Sequence, residues 1–146
     1  MLYDLIIRGG TVYDGTGAPG VRADVAVRDG KIAAIGDLKE TAAGETIDAR
    51  GRALTPGFID IHRHADLAVL SPDFGDWELR QGLTTIVNGN CGMSPFPVSG
   101  EYAAAIGAYL QPVTGPFPRA YESFADYAAS VPALPLNIGQ LVGGGT

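Results

Sequence analysis

The chain has 146 residues, 46% of them hydrophobic, a formal net charge of −6 and a pI near 4.7. The acidic balance argues against a nucleic-acid-binding protein and against a membrane surface as partner, because both select basic surfaces. The composition is too apolar for disorder, and no apolar run approaches the roughly 18 residues of a transmembrane helix. Cys91 is the single cysteine and Asp4 stands where a signal peptide needs basic residues, so we expect a cytoplasmic protein.

Residues 1–55 predict a small antiparallel β-sheet domain of β-sandwich-like character. Short apolar runs alternate with turn-rich segments, and Asp29-Gly30 between two such runs is a strong hairpin signal. This hairpin would place Val27 opposite Ile32 and Val25 opposite Ala34. The predicted strands are 4–8, 23–28, 31–35, 46–48 and 52–55.

Residues 56–146 predict an α/β domain that begins at Pro56-Gly57. The order strand, helix, strand, helix, strand with crossovers of this length is typical of parallel βαβ units. Three parallel strands leave two open edges, and a closed (β/α)8 TIM barrel takes about 250 residues. We therefore expect the first three strands of such a barrel, with the remaining segment supplied by a longer chain or a second polypeptide. The predicted strands are 58–64, 83–88 and 136–142, and the predicted helices are 72–82, 101–110 and 121–131.

The two histidines of the chain, His62 and His64, stand two residues apart at the end of the first predicted barrel strand. A strand has a period of two residues, so both imidazoles would point the same way from Cα atoms about 6.6 Å apart. Two ring nitrogens so placed can bind one metal ion, and barrel enzymes place their sites at this end of the strands. Two surface histidines without a ligand are the alternative, and we favour a metal site.

Two further residues are candidates for this site. Asp60 lies on the same face as the histidines. It could hydrogen-bond to a ligand imidazole and orient it, it could pair with a neighbouring strand, or it could be a structural carboxylate. Cys91 follows the second predicted barrel strand at the same rim, and a thiolate is a strong zinc ligand. The alternative for Cys91 is a small buried hydrophobic residue.

The segment 56–64, which ends in His62-Arg63-His64, resembles the amidohydrolase superfamily. The segment 82–95, which contains Gly89-Asn90-Cys91-Gly92, is similar to the N-acyl-D-amino-acid deacylases (D-aminoacylases) within it. The resemblance runs over nearly the whole chain but only the N-terminal part of the family's length. It implies one or two Zn2+ ions, with His62 and His64 at one metal position and Cys91 on the neighbouring, tightly held zinc.

The same resemblance implies which parts of the site are not in this chain. Two further histidines, an aspartate that serves as general acid and base, and the side chains for the substrate carboxylate are expected downstream. The third barrel strand of the family often ends Leu-Val-Gly-His, whereas Gly144 stands here at the place of that histidine. We therefore expect no catalytic residue within this chain.

The resulting prediction is a zinc-dependent hydrolase that cleaves the amide of an N-acyl-D-amino acid, a small molecule, to the D-amino acid and a carboxylate. The isolated 146-residue chain is predicted to be inactive. One alternative is a cyclic-amide hydrolase of the dihydroorotase or hydantoinase type, which Cys91 disfavours because those relatives usually bridge two metals with a modified lysine. Another is a truncated, non-catalytic fragment or assembly partner.

Overall fold

The N-terminal strands form one mixed five-stranded sheet in a computed structural model, which describes residues 2–144 of the chain. The chain divides into two units, Met1–Pro56 and Gly57–Thr146. The strands of the first unit are β1 (Tyr3–Val12), β2 (Val21–Arg28), β3 (Lys31–Gly36), β4 (Ala43–Asp48) and β5 (Ala53–Leu54).

The prediction that this sheet is antiparallel is wrong for part of it. β1 pairs antiparallel with β2, and β2 with β3, but β1 pairs in parallel with both β4 and β5. The described residues of the unit form this single sheet rather than two stacked ones. The reason is that β4 and β5 return to β1 through longer connections and not through tight hairpins, which leaves their direction free.

The predicted β2–β3 hairpin is confirmed at its turn, where Asp29 and Gly30 have φ of 52° and 70°. Positive φ at both central residues is what a type I′ turn requires. Val27 lies opposite Ile32 as predicted, but a bulge shifts the register beyond that pair. Val25 therefore lies opposite Ile35 and not Ala34.

The second unit contains a parallel three-stranded sheet in the order β6 (Phe58–Asp60), β7 (Leu83–Asn88) and β8 (Asn137–Gln140). The predicted parallel pairing is confirmed. β6 is shorter than the predicted strand 58–64, because the Asp60 carboxylate accepts the main-chain N–H of His62 at 3.1 Å and turns the chain. The two histidines thus lie in a loop after the strand and not on it. β8 is likewise shorter than the predicted 136–142.

Three α-helices accompany this sheet: α1 (Asp76–Arg80), α2 (Ala103–Thr114) and α3 (Phe124–Ala128), with 3-10 turns at Ala68–Leu70 and Asn90–Gly92. α1 and α3 are shorter than predicted, whereas α2 continues past the predicted end and includes Pro112. The start of α3 is set by the Ser123 hydroxyl, which accepts the N–H of Asp126 at 3.1 Å as an N-cap.

The core of the second unit packs aromatic side chains near Ile86, the fully buried centre of β7. The ring of Phe96 lies 5.0 Å from that of Tyr127, which lies 5.5 Å from that of Tyr121. Edge-on and tilted contacts at such distances add to the free energy gained by burial. The buried members of the cluster are Ala65, Leu67, Val69, Ile86, Phe96, Tyr121, Tyr127 and Leu136.

None of the helices within residues 2–144 is both long enough and apolar enough to cross a lipid bilayer.

Candidate metal centre

The histidine loop is held against the neighbouring strand by its central residue. The main-chain N–H of Arg63 donates to the carbonyl of Val87 on β7 at 3.0 Å, so the parallel ladder continues one step beyond the end of β6. His62 and His64 flank this point, and their ring centroids are 5.4 Å apart. The turn at Asp60 and the hydrogen bond of Arg63 therefore fix the main-chain positions from which both imidazoles project.

Cys91 reaches the same place from the loop after β7. Gly89, Cys91 and Gly92 have φ of 78°, 57° and 74°, so this loop turns tightly through the left-handed region. A non-glycine residue there is uncommon, and such conformations cluster at functional sites. The turn brings Cys91 Sγ to 3.2 Å from His62 Nε2.

The three side chains form one cluster of potential metal ligands at the C-terminal edge of the parallel sheet. One ligand atom from each of His62, His64 and Cys91 lies within 4.8 Å of the others. Donors around a tetrahedral zinc ion are separated by about 3.3–3.6 Å, given Zn–N and Zn–S bonds near 2.0 and 2.3 Å. The 3.2 Å between His62 Nε2 and Cys91 Sγ is close to this spacing, and the nitrogen and sulfur atoms of the cluster are those that zinc prefers.

The environment of His64 is a second observation that fits a metal ligand. Its Nδ1 is buried and has no hydrogen-bond partner in the structure. A buried ring nitrogen without a partner is costly, and binding an ion or a further hydrogen-bond acceptor would satisfy it. No other histidine, cysteine or carboxylate among residues 2–144 joins the cluster.

Asp60 lies next to the cluster but contacts the main chain and a guanidinium. One carboxylate oxygen accepts the N–H of His62, and the other lies 3.6 Å from Arg63 Nη1. Within the described residues no hydrogen bond joins Asp60 to either imidazole. Arg63 also donates to Glu78 of α1 at 2.5 Å, where the carboxylate is almost fully buried.

A buried polar network that the sequence motifs did not indicate connects β7 and β8 with the segment after the histidines. Asp66 is fully buried, accepts Gln140 Nε2 of β8 at 2.7 Å, and receives the Tyr127 hydroxyl on its main-chain carbonyl at 2.6 Å. Asn88 at the end of β7 accepts the N–H of Ala65 at 3.1 Å. Burial raises the pKa of the Asp66 carboxyl, and the hydrogen bond from Gln140 opposes that rise.

A sequence signal for this network exists. Asp66 is one carboxylate inside the apolar run 65–70, and Asn88 and Gln140 each end an apolar strand. A polar residue in such a position must find a partner when it is buried. The network therefore links the segment that follows β6 to the ends of β7 and β8.

Comparison with known proteins identifies the family of the chain. Residues 45–143 match the model of the Amidohydrolase family, and the chain therefore belongs to that family. Similar characterised proteins are two from Alcaligenes xylosoxydans xylosoxydans. An N-acyl-D-glutamate deacylase is 50% identical over 105 residues, covering 70% of this chain and 22% of the relative. A D-aminoacylase is 40% identical over 146 residues, covering 99% of this chain and 30% of the relative.

Two solved structures are similar over almost the whole chain. A D-aminoacylase described with a binuclear metal centre has a TM-score of 0.82 and 39% identity, over 97% of this chain and 30% of its own. The N-acyl-D-glutamate deacylase from Bordetella bronchiseptica, solved with zinc and a phosphonate inhibitor, has a TM-score of 0.73 and 45% identity. The match covers 98% of this chain and 30% of that protein's chain. The chain thus spans less than a third of the length of these relatives.

Proposed function

We propose that the chain forms the N-terminal part of a zinc-dependent hydrolase that cleaves N-acyl-D-amino acids to the D-amino acid and a carboxylate. The observation that carries this proposal is the convergence of His62, His64 and Cys91, from two successive strand ends, to within 4.8 Å. Its support from the comparisons is that the similar proteins named above are deacylases of this substrate class.

The parallel sheet is proposed to be the beginning of a (β/α)8 TIM barrel. β6, β7 and β8 follow one another in space as in sequence, and the ligand cluster lies at their C-terminal edge. This is the edge at which barrel enzymes carry their active sites. The segment that would close the barrel is supplied by the continuation of the same polypeptide or by a second one, and the first unit, 1–55 in the sequence analysis, precedes it as a separate domain.

The residues of the cluster would act as the metal ligands. Zinc, when bound, polarises the amide carbonyl and lowers the pKa of water so that it attacks at neutral pH. His62, His64 and Cys91 hold and orient one or two such ions from the described strand ends. Asp60 acts indirectly, since it shapes the turn that presents His62.

The 146-residue chain is proposed to bind metal without turning over substrate. The cluster supplies three ligand atoms but no carboxylate that could move a proton between water and the leaving amine. A positioned general acid or base contributes about 10²–10⁴-fold to such reactions. With N-acetyl-D-amino acids and zinc, the isolated chain is expected to release no D-amino acid, and measurable release would contradict this part of the proposal.

The metal site is tested first with Co2+ as a spectroscopic substitute for zinc. The wild-type chain is expected to show a thiolate-to-cobalt charge-transfer band, which Cys91→Ser abolishes and His62→Ala weakens. Asp73→Asn, which removes an exposed carboxylate of the same unit, is the control and should leave the band unchanged. A wild-type chain that binds Co2+ without this band would show that Cys91 is not a ligand.

The substrate class is tested after the barrel has been completed by its remaining segment. Hydrolysis of N-acetyl-D-amino acids, lost in Cys91→Ser, is the expected result. Hydrolysis of hydantoins alone would favour the cyclic-amide hydrolase instead. A completed barrel that binds zinc and hydrolyses neither class would favour a non-catalytic assembly partner.

A further inference from the structure

We infer that Asn90 is the positioning residue that holds the Cys91 loop in register with the histidine loop. The inference rests on the proposed metal centre and assigns to it a residue that binds neither metal nor substrate. Asn90 immediately precedes Cys91, and the residue that it contacts, Arg63, separates the two histidines. One side chain thus joins the two segments that carry all three candidate ligands.

The contacts form a closed arrangement of three hydrogen bonds. The Asn90 side-chain amide donates to the carbonyl of Val87 at 2.7 Å and to the carbonyl of Arg63 at 3.3 Å. The N–H of Arg63 donates to that same Val87 carbonyl at 3.0 Å. The N–H of Arg63 is therefore bonded to β7, and its carbonyl is bonded to the loop that leads to Cys91.

The chemistry of this arrangement calls for an amide. Both partners are carbonyl oxygens, so the side chain between them must offer two N–H donors and no charge. Asparagine provides both from one nitrogen, whereas aspartate would direct an acceptor at two acceptors. Serine and alanine would leave at least one half-buried carbonyl without its partner.

The backbone of the loop explains why such a restraint is needed. Gly89, Cys91 and Gly92 have positive φ, and Cys91 is the one of these three that has a Cβ. Left-handed conformation costs such a residue about 1–2 kcal/mol relative to the right-handed region. Without the side chain of Asn90, Cys91 can relax toward right-handed φ, and its Sγ then moves away from His62 Nε2.

The experiment compares Co2+ binding by the 146-residue chain and its Asn90→Ala and Asn90→Asp variants. The control is Asn137→Ala, which also removes an asparagine amide that donates to a main-chain carbonyl, that of Thr84 at 3.2 Å, at the start of β8. Two quantities are measured for each variant: the Co2+ dissociation constant, and the absorbance of the thiolate charge-transfer band per bound ion. Far-UV circular dichroism of the metal-free chains reports whether each variant is folded.

The expected result is an affinity about tenfold weaker for Asn90→Ala, as for other residues that orient metal ligands, and weaker still for Asn90→Asp. The band per bound ion should also fall in both, with Asn137→Ala like wild type. A loss of stability alone would not lower the band per bound ion, so this readout separates positioning from a general structural role.

Three outcomes would overturn the inference. Wild-type Co2+ affinity and band intensity in Asn90→Ala would contradict the inference about Asn90 but not the proposed metal centre. Asn90→Ala that is unfolded without metal shows that Asn90 holds the fold and not the ligands. The absence of a thiolate band in the wild-type chain with bound Co2+ would contradict both the proposed metal centre and the inference about Asn90.

Discussion

Two buried carboxylates, one in each unit, are satisfied to very different degrees. Asp24 of β2 is 8% exposed and accepts the N–H of Gly9 at 2.8 Å and that of Leu38 at 3.2 Å, with Arg8 at 3.4 Å. Asp66 is fully buried, and one of its oxygens has no partner. Carboxylates that are buried for structural reasons collect partners, so the two residues differ in how completely the fold satisfies them.

The contrast extends beyond these two residues. Four buried side-chain atoms in residues 2–144 have no hydrogen-bond partner, and all four belong to the second unit, at or just after the ends of its strands: His64 Nδ1, Asp66 Oδ2, Asn88 Nδ2 and Gln140 Oε1. The described part of the first unit therefore satisfies all its buried polar side-chain atoms, whereas the second unit leaves four of them without a partner. Substitutions in the two units should therefore differ in their cost.

Gly89→Ala is expected to be the most damaging substitution. Gly89 has φ of +78°, and a Cβ there would overlap the carbonyl oxygen of Leu141, which follows β8. Strain and overlap together should lower the free energy of unfolding by about 3 kcal/mol or more. The matched control is Gly30→Ala in the first unit, at φ of +70° with open space around it, which should cost only about 1 kcal/mol. If urea denaturation gave equal decreases in the free energy of unfolding for Gly89→Ala and Gly30→Ala, the contact between residue 89 and the Leu141 carbonyl would not constrain the loop.

Arg63→Ala is expected to follow, because it leaves a buried charge unpaired. Glu78 is 5% exposed and its carboxylate lies 2.5 Å from Arg63 Nη2. Removing the guanidinium should lower the free energy of unfolding by about 2–3 kcal/mol. The control is Arg50→Ala in the first unit, where the pair with Asp48 is exposed and its loss should be close to the experimental error. A loss as small as that of the control would contradict the structural importance of the Arg63–Glu78 pair.

Tyr127→Phe is expected to have an intermediate effect. The buried hydroxyl donates to the main-chain carbonyl of Asp66 at 2.6 Å, and burial raises the pKa of this phenol. Phenylalanine keeps the ring contacts and leaves the carbonyl without its donor, at a cost of about 1–2 kcal/mol in denaturant unfolding. Tyr109→Phe on the exposed face of α2 should stay within about 0.5 kcal/mol of wild type. An equal effect of the two substitutions would show that the Asp66 carbonyl does not depend on Tyr127.

Asp48→Asn in the first unit is expected to have the smallest effect, a difference from wild type that is present above pH 3.8 and disappears in acid. Hydrogen bonds from the side chain and main chain of Arg50 lower the pKa of Asp48 from 3.8 to about 2. A carboxyl with a lowered pKa stabilises the folded chain at pH above 3.8, and that contribution is lost as the pH falls toward 2. The melting temperature of the variant should therefore change less than that of wild type between these pH values. Parallel curves for the two chains would show that the pair contributes nothing.

The sequence indicated which side chains come together as candidate ligands, but not the residues that hold them in place. His62, His64 and Cys91 stand out because their side chains bind metals and because each follows a predicted strand. Asn90 donates to main-chain carbonyls, which every residue has, so the sequence does not indicate which residues it contacts. Asp66 pairs with Gln140, which is 74 residues away, and only the fold brings the two together.

The fold was predictable to a similar depth. Apolar periodicity and turn residues gave every strand, and Asp29-Gly30 gave a hairpin. The bulge between the Ala26 and Val27 pairs was not predictable, since the run 31–35 contains no glycine or proline to mark it. The end of β6 was not predictable, because a carboxylate at position 60 suits an orienting, a pairing or a structural role, and the sequence does not show that it accepts the N–H of His62 and turns the chain.

The distance along the chain between the candidate ligands has a thermodynamic consequence. His62 and Cys91 are separated by 29 residues. An ion held by both side chains would act as a cross-link and deprive the unfolded chain of much of its freedom, worth about 3–4 kcal/mol for a loop of this size. Metal binding and folding of this unit would then be linked equilibria, so that a higher free zinc concentration would raise the free energy of unfolding.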